Sequence, residues 1–198
     1  MSMSMSMSMS YVTLPLPAVP APHRVRLFTP DDMDGVIALY SHPEVARSLN
    51  FTVPVLRETL QTKLTGDLEA MRQGKGIRWV LSREEDPTPL GYLTLFNWSQ
   101  KDRRAEVGYM VARALWGQGV MTGVLPALIR FGFEHLNLHR IEGMVNARNS
   151  ASSKALLRAG FQQEGVLRGY QADGNGGGFN DMLLLALLED AWRASVAK

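Results

Sequence analysis

The sequence predicts a single domain of the mixed α/β (α+β) class, with the element order β-α-α-β-β-β-α-β-α-β-β. Short runs rich in β-branched and aromatic residues predict strands, and apolar residues that recur every three or four positions predict helices. Clusters of Pro and Gly separate these runs. At 198 residues the chain is long enough for one domain with a substantial core.

A strand and two main helices open the domain. Residues 25–28 are predicted to form a short strand. Thr29 suits an N-cap and is followed by a proline and two acidic residues, which predicts the start of a helix. Pro43 begins a short further turn of helix. Leucines at every fourth position from Leu56 to Leu68 predict an amphipathic helix that ends near Gly74.

Strands dominate the second half. The predicted strands span residues 77–81, 90–98, 105–111, 140–145, 161–170 and 180–187. One predicted helix spans residues 122–136, and another spans residues 150–159 and is closed by Gly160 at a C-cap position. The glycine-rich segment 173–178 is predicted to join the last two strands as a hairpin loop.

The first 22 residues differ in composition from the rest. Residues 1–10 alternate Met and Ser, and four prolines follow between Pro15 and Pro22. This pattern predicts a low-complexity tail whose second part is extended and polyproline-like. An alternative is a strand that adds to a neighbouring sheet edge. The segment does not resemble a signal peptide, because it lacks a basic start and a long apolar centre. We therefore expect the folded domain over residues 23–198.

Composition narrows the function. An apolar fraction of 45% and a charged fraction of 20% are typical of a globular protein. A net charge of +2 is too small to indicate a nucleic-acid partner, and no apolar stretch approaches the roughly 20 residues of a membrane span. The absence of cysteine excludes disulfides, thiolate ligands and a cysteine nucleophile, and it fits a cytoplasmic protein. His135 and His139 lie four residues apart, but the helix is predicted to end between them, so no metal site is expected.

The most informative motif is the glycine loop of residues 116–122, Trp-Gly-Gln-Gly-Val-Met-Thr. It follows a predicted strand and opens a predicted helix. Two glycines allow a tight turn and a close backbone approach, and the helix start offers free N–H groups, so the loop suits a phosphate or pyrophosphate. The loop follows a middle strand and lacks a Gly-Lys-Ser/Thr ending. Both features count against a dinucleotide-binding fold and a nucleoside triphosphate P-loop.

Four ordered motifs give the chain a more specific resemblance. It resembles the GNAT superfamily of acetyl-CoA-dependent N-acetyltransferases, and within it the RimJ/RimL subgroup of ribosomal-protein N-terminal acetyltransferases. The likeness covers about residues 24–192. It rests on Glu106-Val-Gly-Tyr109, on Trp116-Gly-Gln-Gly-Val-Met-Thr122, on His139-Arg-Ile-Glu142 with residues 146–152, and on residues 156–165.

The resemblance implies a GNAT fold: a mixed, mostly antiparallel central sheet of about seven strands, splayed in the middle and flanked by about four helices. It also implies acetyl-CoA as a co-substrate. The strand end would pair with the pantetheine arm, the glycine loop would hold the pyrophosphate through backbone amides, and the start of the next helix would approach the sulfur. The residues implied are Tyr109, Met110, Val111, Trp116, Gly117, Gln118, Gly119, Val120, Met121, Thr122, Asn149 and Ser152.

Ser152 and Glu106 are the candidate catalytic residues. Acetyl transfer needs a neutral amine, a polarised thioester carbonyl and a proton source for the departing thiolate. The resemblance places Ser152 near the sulfur, where its hydroxyl would supply this proton. The alternative is a capping hydroxyl, because several serines lie at a helix start. Glu106 would take the proton of the amine directly or through water. The alternative is a structural carboxylate paired with a nearby arginine or another strand.

Two positions depart from the family pattern. Met121 stands where the family usually has Gly or Ala, so the loop must accommodate a bulky side chain. Gln171 stands near the position where some relatives carry a carboxylate, and a glutamine cannot act as the base that those relatives use there.

The predicted function is therefore acetyl-CoA-dependent N-acetylation of a primary amine, a protein N-terminal α-amine, by direct attack on the thioester. One alternative is a small-molecule acceptor, such as a polyamine, an amino acid or an antibiotic. Another is a non-catalytic acetyl-CoA-binding module. The expected partner is the amine acceptor, with no nucleic acid, membrane or metal, and the expected assembly is a monomer or homodimer.

Overall fold

A computed structural model describes residues 14–197 and places seven strands in one sheet. The strands are β1 (His23–Leu27), β2 (Ile77–Arg83), β3 (Gly91–Ser99), β4 (Arg104–Val111), β5 (Arg140–Asn146), β6 (Gln162–Ala172) and β7 (Phe179–Leu188). Their order is β1-β2-β3-β4-β5-β7-β6. All neighbours are antiparallel except β4 and β5, which are parallel. The predicted mixed, mostly antiparallel sheet is confirmed.

Within residues 14–197, six helices flank this sheet. They are α1 (Met33–Ser41), α2 (Pro43–Ser48), α3 (Arg57–Arg72), α4 (Val120–His135), α5 (Ser150–Arg158) and α6 (Glu189–Val196). Four correspond to the predicted helices, and α2 is the short turn indicated at Pro43. The sixth, α6, was not predicted. Its sequence directly continues the apolar run of β7, so no turn residue marks the change from strand to helix.

The start of α1 shows how the local sequence sets the structure. A 3₁₀ turn over Pro30–Asp32 precedes the helix. The Thr29 amide donates to Asp32 Oδ2 at 3.0 Å, and the Thr29 hydroxyl donates to the same oxygen at 3.1 Å. Arg26 of β1 donates to both carboxylate oxygens, at 2.5 and 2.6 Å. The carboxylate therefore joins the first strand to the first helix.

The alternation of side chains along the strands divides the core into two parts. On one face Trp79 packs edge-on against Phe131 of α4, with a ring separation of 5.1 Å, and α5 and α6 complete this side. On the other face Tyr92 packs against Phe28 and beneath α1, α2 and α3. Because helices cover both faces of the sheet, the ends of the middle strands are the place where a binding site can form.

A partly buried polar cluster joins α3 to the sheet. Asp67 accepts from Lys63 Nζ at 2.7 Å, from Arg78 Nη2 at 3.0 Å and from the Tyr92 hydroxyl at 3.0 Å. Burial acts to raise the pKa of Asp67, but the Lys63 and Arg78 charges and the hydrogen bonds from Lys63 and Tyr92 together outweigh it, and the pKa is lowered. The carboxylate stays ionised between two cations.

The N-terminal segment packs on the domain from residue 14 onward. Leu14 and Val19 contact the core on the side of α4, and Pro17 is buried. A Cβ atom on Gly123 of α4 would lie 2.7 Å from Pro20 Cγ, so the glycine makes room for this proline. The Met/Ser repeat of residues 1–10 lies outside the described residues, and the division of the chain at residue 22 stays a prediction. Within residues 14–197, the helices are all too short or too polar to cross a membrane.

Candidate functional site

The two parallel strands at the centre of the sheet are paired at one end only. Their register covers three residue pairs, from Arg104 opposite Arg140 to Glu106 opposite Glu142. Beyond Glu106, β4 stays paired with β3 as far as Val111, and β5 stays paired with β7. The strands therefore separate into a slot, as the predicted splay requires.

A cavity of about 650 Å³ occupies this slot, and we call it the larger cavity. Its walls come from the ends of β4 and β5, the glycine loop, the start of α4 and one face of α5. Ten predicted binding residues and the catalytic candidate Ser152 line it. They are Tyr109, Met110, Val111, Trp116, Gly117, Gly119, Val120, Met121, Thr122, Asn149 and Ser152. The structure thus brings together residues that are up to 43 positions apart.

The glycine loop has the backbone that its sequence predicts. Gly117 and Gly119 have φ values of 74° and 73°, in the left-handed region that side chains disfavour. Gly119 is the N-cap of α4, so the first amides of a 16-residue helix face the loop. A Cβ atom on Gly117 would meet nothing within 4 Å, and one on Gly119 would meet only the Thr122 hydroxyl oxygen, at 4.0 Å. The glycines therefore leave open space against the helix start.

Trp116 fixes the loop to the end of β4. Its indole Nε1 donates to the Val111 carbonyl at 3.1 Å. The Arg113 guanidinium lies 5.0 Å from the Trp116 ring and donates from Nε to Glu44 of α2 at 2.7 Å. Gln118 does not line the larger cavity, because its side chain donates to the Ala114 carbonyl at 2.5 Å. The tryptophan therefore has a structural role beyond the predicted contact with a ligand.

Asn149 is the cap of α5, which leaves the Ser152 hydroxyl for another role. Asn149 Oδ1 accepts from the Ser152 amide at 3.1 Å, and its Nδ2 donates to the Ser48 carbonyl at 3.2 Å. The Ser152 hydroxyl instead lies 3.0 Å from the Tyr109 hydroxyl. The Tyr109 hydroxyl also lies 3.3 Å from the Ser152 carbonyl. Of the two roles left open for Ser152, capping by its hydroxyl is not what the structure shows.

The phenol of Tyr109 is the functional group that sequence reasoning missed. Only the backbone of this residue was expected in the site. Strand alternation places its side chain on the face opposite Met110, toward α5. Burial raises the pKa of the Tyr109 phenol, although the bond to Ser152 acts in the opposite direction. The phenol is therefore protonated at neutral pH and can donate to Ser152.

Glu106 lies at the closed end of the slot. Its Oε1 accepts from Asn97 Nδ2 at 2.7 Å, and it is not among the residues that line the larger cavity. This bond matches the structural alternative, a carboxylate held by a neighbouring strand. Its role as a base stays a prediction. The lining of the larger cavity contains no Asp or Glu within residues 14–197.

A second cavity of about 570 Å³ opens beside the first, and we call it the polar cavity. It lies among the end of α2, the loop after β5, the start of α5 and the β6–β7 hairpin. Its lining residues are Arg47, Ser48, Asn50, Asn146, Arg148, Asn149, Ser150, Ala151, Asp173, Asn175 and Asn180. Five of them, Ser48, Asn50, Asn146, Asn149 and Ala151, also line the larger cavity, so the two spaces adjoin.

Asn50 joins the elements that border both cavities. Its φ of 63° is left-handed, a conformation that Asn tolerates better than most residues. Its Nδ2 donates to the Ala172 carbonyl at 2.7 Å, and its Oδ1 accepts from the Gly174 amide at 3.2 Å and from Asn180 Nδ2 at 3.1 Å. One side chain thus holds the glycine-rich hairpin against the segment after α2.

Comparison with known proteins identifies the chain. A family model described as an acetyltransferase (GNAT) domain matches residues 24–162. The chain belongs to the GNAT acetyltransferase family. It is 32% identical over 146 residues to the uncharacterized N-acetyltransferase YoaA of Bacillus subtilis (strain 168), across 74% of this chain and 82% of that protein. This GNAT protein is therefore an acyltransferase, and acetyl transfer is its reaction.

Other relatives agree with the predicted subgroup. The ribosomal-protein-serine acetyltransferase of Escherichia coli (strain K12) is 26% identical over 135 residues, across 68% of this chain and 71% of that enzyme. A solved structure of a probable acetyltransferase is 26% identical and superposes with a TM-score of 0.74, across 88% of this chain and 97% of that one. The resemblance to the RimJ/RimL subgroup of the GNAT family is confirmed. Within residues 14–197 there is no group of three or more His, Cys, Asp or Glu side chains placed to hold a metal ion.

Proposed function

We propose that this GNAT enzyme transfers the acetyl group of acetyl-CoA to the α-amine of a protein N-terminus by direct attack on the thioester. The observation that carries the proposal is the larger cavity. It joins an anion-binding helix start, the free edge of a strand and a paired serine hydroxyl in one continuous space. Each of these serves a different part of the same reaction.

The residues present fit coenzyme A. Open space over Gly117 and Gly119 allows a pyrophosphate to approach the backbone amides at the start of α4, where the helix dipole also favours negative charge. The edge of β4 from Tyr109 to Val111 offers backbone groups to the amides of the pantetheine arm. Lys154 and Arg158 also line the larger cavity and suit the 3′-phosphate.

Ser152 acts as the acid in this proposal. The amine nitrogen bonds to the carbonyl carbon, the carbon–sulfur bond breaks, and the departing thiolate takes the proton of the Ser152 hydroxyl. Ser152 regains a proton from the water that has taken up the proton of the amine. In one of the two arrangements open to this pair, the Tyr109 phenol donates to Ser152 Oγ, which leaves the serine proton free to point into the cavity. A backbone N–H near Met110 or Val111 stabilises the oxyanion.

The proton of the amine goes to water in this scheme. The larger cavity presents Ser, Thr, Tyr, Asn and Gln side chains but no carboxylate within the described residues, and Glu106 is held by Asn97 outside it. Water that reaches the amine from the adjoining polar cavity is sufficient to accept this proton, because an α-amine has a pKa of about 8 and is partly neutral at physiological pH.

The acceptor is proposed from the relatives and from the shape of the site. The E. coli relative is named for a ribosomal-protein serine. The polar cavity adjoins the larger one, so a peptide that enters with its amine first has room for the residues that follow. This extended space supports a peptide acceptor over a single amino acid.

A thiol-release assay with acetyl-CoA tests the proposal. We expect turnover with peptides that have a free N-terminal Ser or Ala, and none with the same peptides after N-terminal blocking. Ser152→Ala should lower kcat by about 10²- to 10⁴-fold, the usual contribution of a positioned acid. Turnover with spermidine or an aminoglycoside and with none of the peptides would overturn the choice of acceptor. An unchanged kcat in Ser152→Ala would overturn the role of Ser152.

A further inference from the structure

The polar cavity carries positive charge that has no partner in the fold. Arg47 projects from the end of α2, is exposed, and takes part in none of the ion pairs within residues 14–197. Arg148 is 76% exposed and pairs with Asp173 at 3.1 Å. Asp173 is the one acid in the cavity lining, and its other oxygen accepts from the Asn175 amide at 3.0 Å. Two arginines thus face one carboxylate that is already engaged.

The same cavity contains a buried hydrogen-bond acceptor without a donor. Asn180 is 3% exposed, and its Oδ1 has no partner within the described residues. The orientation of its amide follows from its neighbour. Asn50 Oδ1 accepts from the Gly174 amide, so Asn180 must present Nδ2 to that oxygen and leave its own Oδ1 toward other donors. Buried acceptors of this kind normally have a donor, so this oxygen marks an incomplete hydrogen-bond network in the wall of the cavity.

The polar lining and the positive charge of the cavity together indicate one class of ligand. A polyamine would meet two arginines and no free carboxylate, and like charges in such a position disfavour binding. A peptide offers backbone donors and acceptors to the polar lining, and an acidic side chain on it offers a carboxylate to Arg47. The residues shared by the two cavities make the polar cavity continuous with the space beside Ser152.

We propose that the polar cavity binds the residues that follow the N-terminal residue of a peptide acceptor and that Arg47 selects an acidic side chain at residue 2 or 3 of the peptide. The proposal rests on the proposed function and deepens it by naming the acceptor class. Arg47 does not touch the reacting atoms, so its effect appears in binding of the acceptor and not in the chemical step.

Two matched peptides and two matched variants test this selection. One peptide begins Ala-Asp-Asp and the other begins Ala-Asn-Asn, with the same neutral remainder. Binding is measured by fluorescence anisotropy on the protein saturated with CoA, which requires no turnover. The variants are Arg47→Gln and, as the control, Arg72→Gln, which removes an exposed arginine of α3 that lines neither cavity.

We expect the acidic peptide to bind about three- to fivefold more tightly than the neutral one, the effect of a single exposed ion pair, and the difference to shrink as salt is added. Arg47→Gln should remove the preference, and Arg72→Gln should keep it. Equal binding of the two peptides, or an unchanged preference in Arg47→Gln, overturns the proposal.

Binding without turnover separates this proposal from the proposed function. If the acidic peptide binds with the preference described but is not acetylated when acetyl-CoA replaces CoA, the charge selection stands and the peptide acetyltransferase activity fails. If both peptides are acetylated at equal kcat/KM, the activity stands and the charge selection fails. Tighter binding of spermidine than of either peptide also overturns the charge selection.

Discussion

A double-mutant cycle on Tyr109 and Ser152 tests the catalytic core of the site. The perturbation is Tyr109→Phe, which removes the phenol oxygen and leaves the ring in place. In the intact protein the Ser152 hydroxyl has two arrangements. It donates to Tyr109 while the phenol donates to the Ser152 carbonyl, or it accepts from the phenol and directs its own proton into the cavity. Only the second arrangement serves the departing thiolate.

The magnitude follows from the one hydrogen bond that is lost. A neutral hydrogen bond contributes about 1 kcal/mol, which corresponds to about a fivefold change in rate. We therefore expect Tyr109→Phe to lower kcat about three- to tenfold and to leave the KM for acetyl-CoA unchanged. In a Ser152→Ala background the phenol has no hydroxyl left to orient, so the second substitution should not lower kcat further.

The assay is thiol release with saturating acetyl-CoA and a peptide amine, measured across pH for all four proteins. Because burial raises the pKa of the Tyr109 phenol, the phenol is protonated throughout the assay range. Tyr109→Phe should therefore leave the pH dependence of kcat unchanged in shape. Tyr170→Phe, at a tyrosine that is 63% exposed, is the control for a general effect of removing a phenol. An equal loss of kcat in both backgrounds would refute the reasoning, since the phenol would then act independently of Ser152.

Three further predictions concern the cofactor loop, the polar cluster and the asparagine that holds the hairpin. Gly119→Ala should weaken CoA binding in calorimetry and lower the free energy of unfolding by about 1–2 kcal/mol, because the φ of Gly119 is left-handed. The control is Gly66→Ala in α3, where a Cβ meets open space and alanine should stabilise the helix. Asp67→Asn should lower the free energy of unfolding in urea by about 3 kcal/mol, because it leaves the buried Arg78 guanidinium unpaired, while the exposed Glu69→Gln should leave this free energy unchanged. Since the folded pKa of Asp67 is lowered, its stabilisation is present above the unfolded value of about 4 and is lost as pH falls through the folded pKa, so the two proteins should converge in acid. Asn50→Ala should raise the KM of a peptide several-fold and leave CoA affinity intact, and an equal effect on both ligands would contradict this division of roles.

Local patterns predicted most of the fold. The N-cap at Thr29, the leucine repeat of α3 and the glycine loop each contain their structural cause within a few residues, so the elements they predict are present. The helix α6 was missed because its first residues follow an apolar strand without any Gly or Pro between them. The cause of that boundary is tertiary, since Trp192 packs against Phe133 of α4.

In the candidate site, too, the sequence predicts the features with a local cause and misses those that depend on distant residues. Backbone positions such as Gly119 follow from a motif, because the turn needs a particular residue at a particular place. Side-chain partners such as Tyr109 and Ser152 are 43 residues apart and meet through the packing of α5 against β4, which no local pattern records. The bond between Asn50 and Asn180 spans 130 residues and was not anticipated for the same reason.

The short ladder between β4 and β5 has a consequence for the energetics of the free protein. Because only three residue pairs join β4 to β5, the sheet consists of one half with four strands and one half with three. The backbone groups on the open edges between the halves lack the strand partners that a continuous sheet would give them. A ligand that lies between the two halves and bonds to these backbone groups would supply some of the missing hydrogen bonds, so folding and ligand binding would be linked. At a concentration one hundred times its Kd, such a ligand adds about 2.7 kcal/mol to the free energy of unfolding. If acetyl-CoA spans the two halves of the sheet in this way, the protein saturated with it should unfold more cooperatively and at a higher temperature than the free protein.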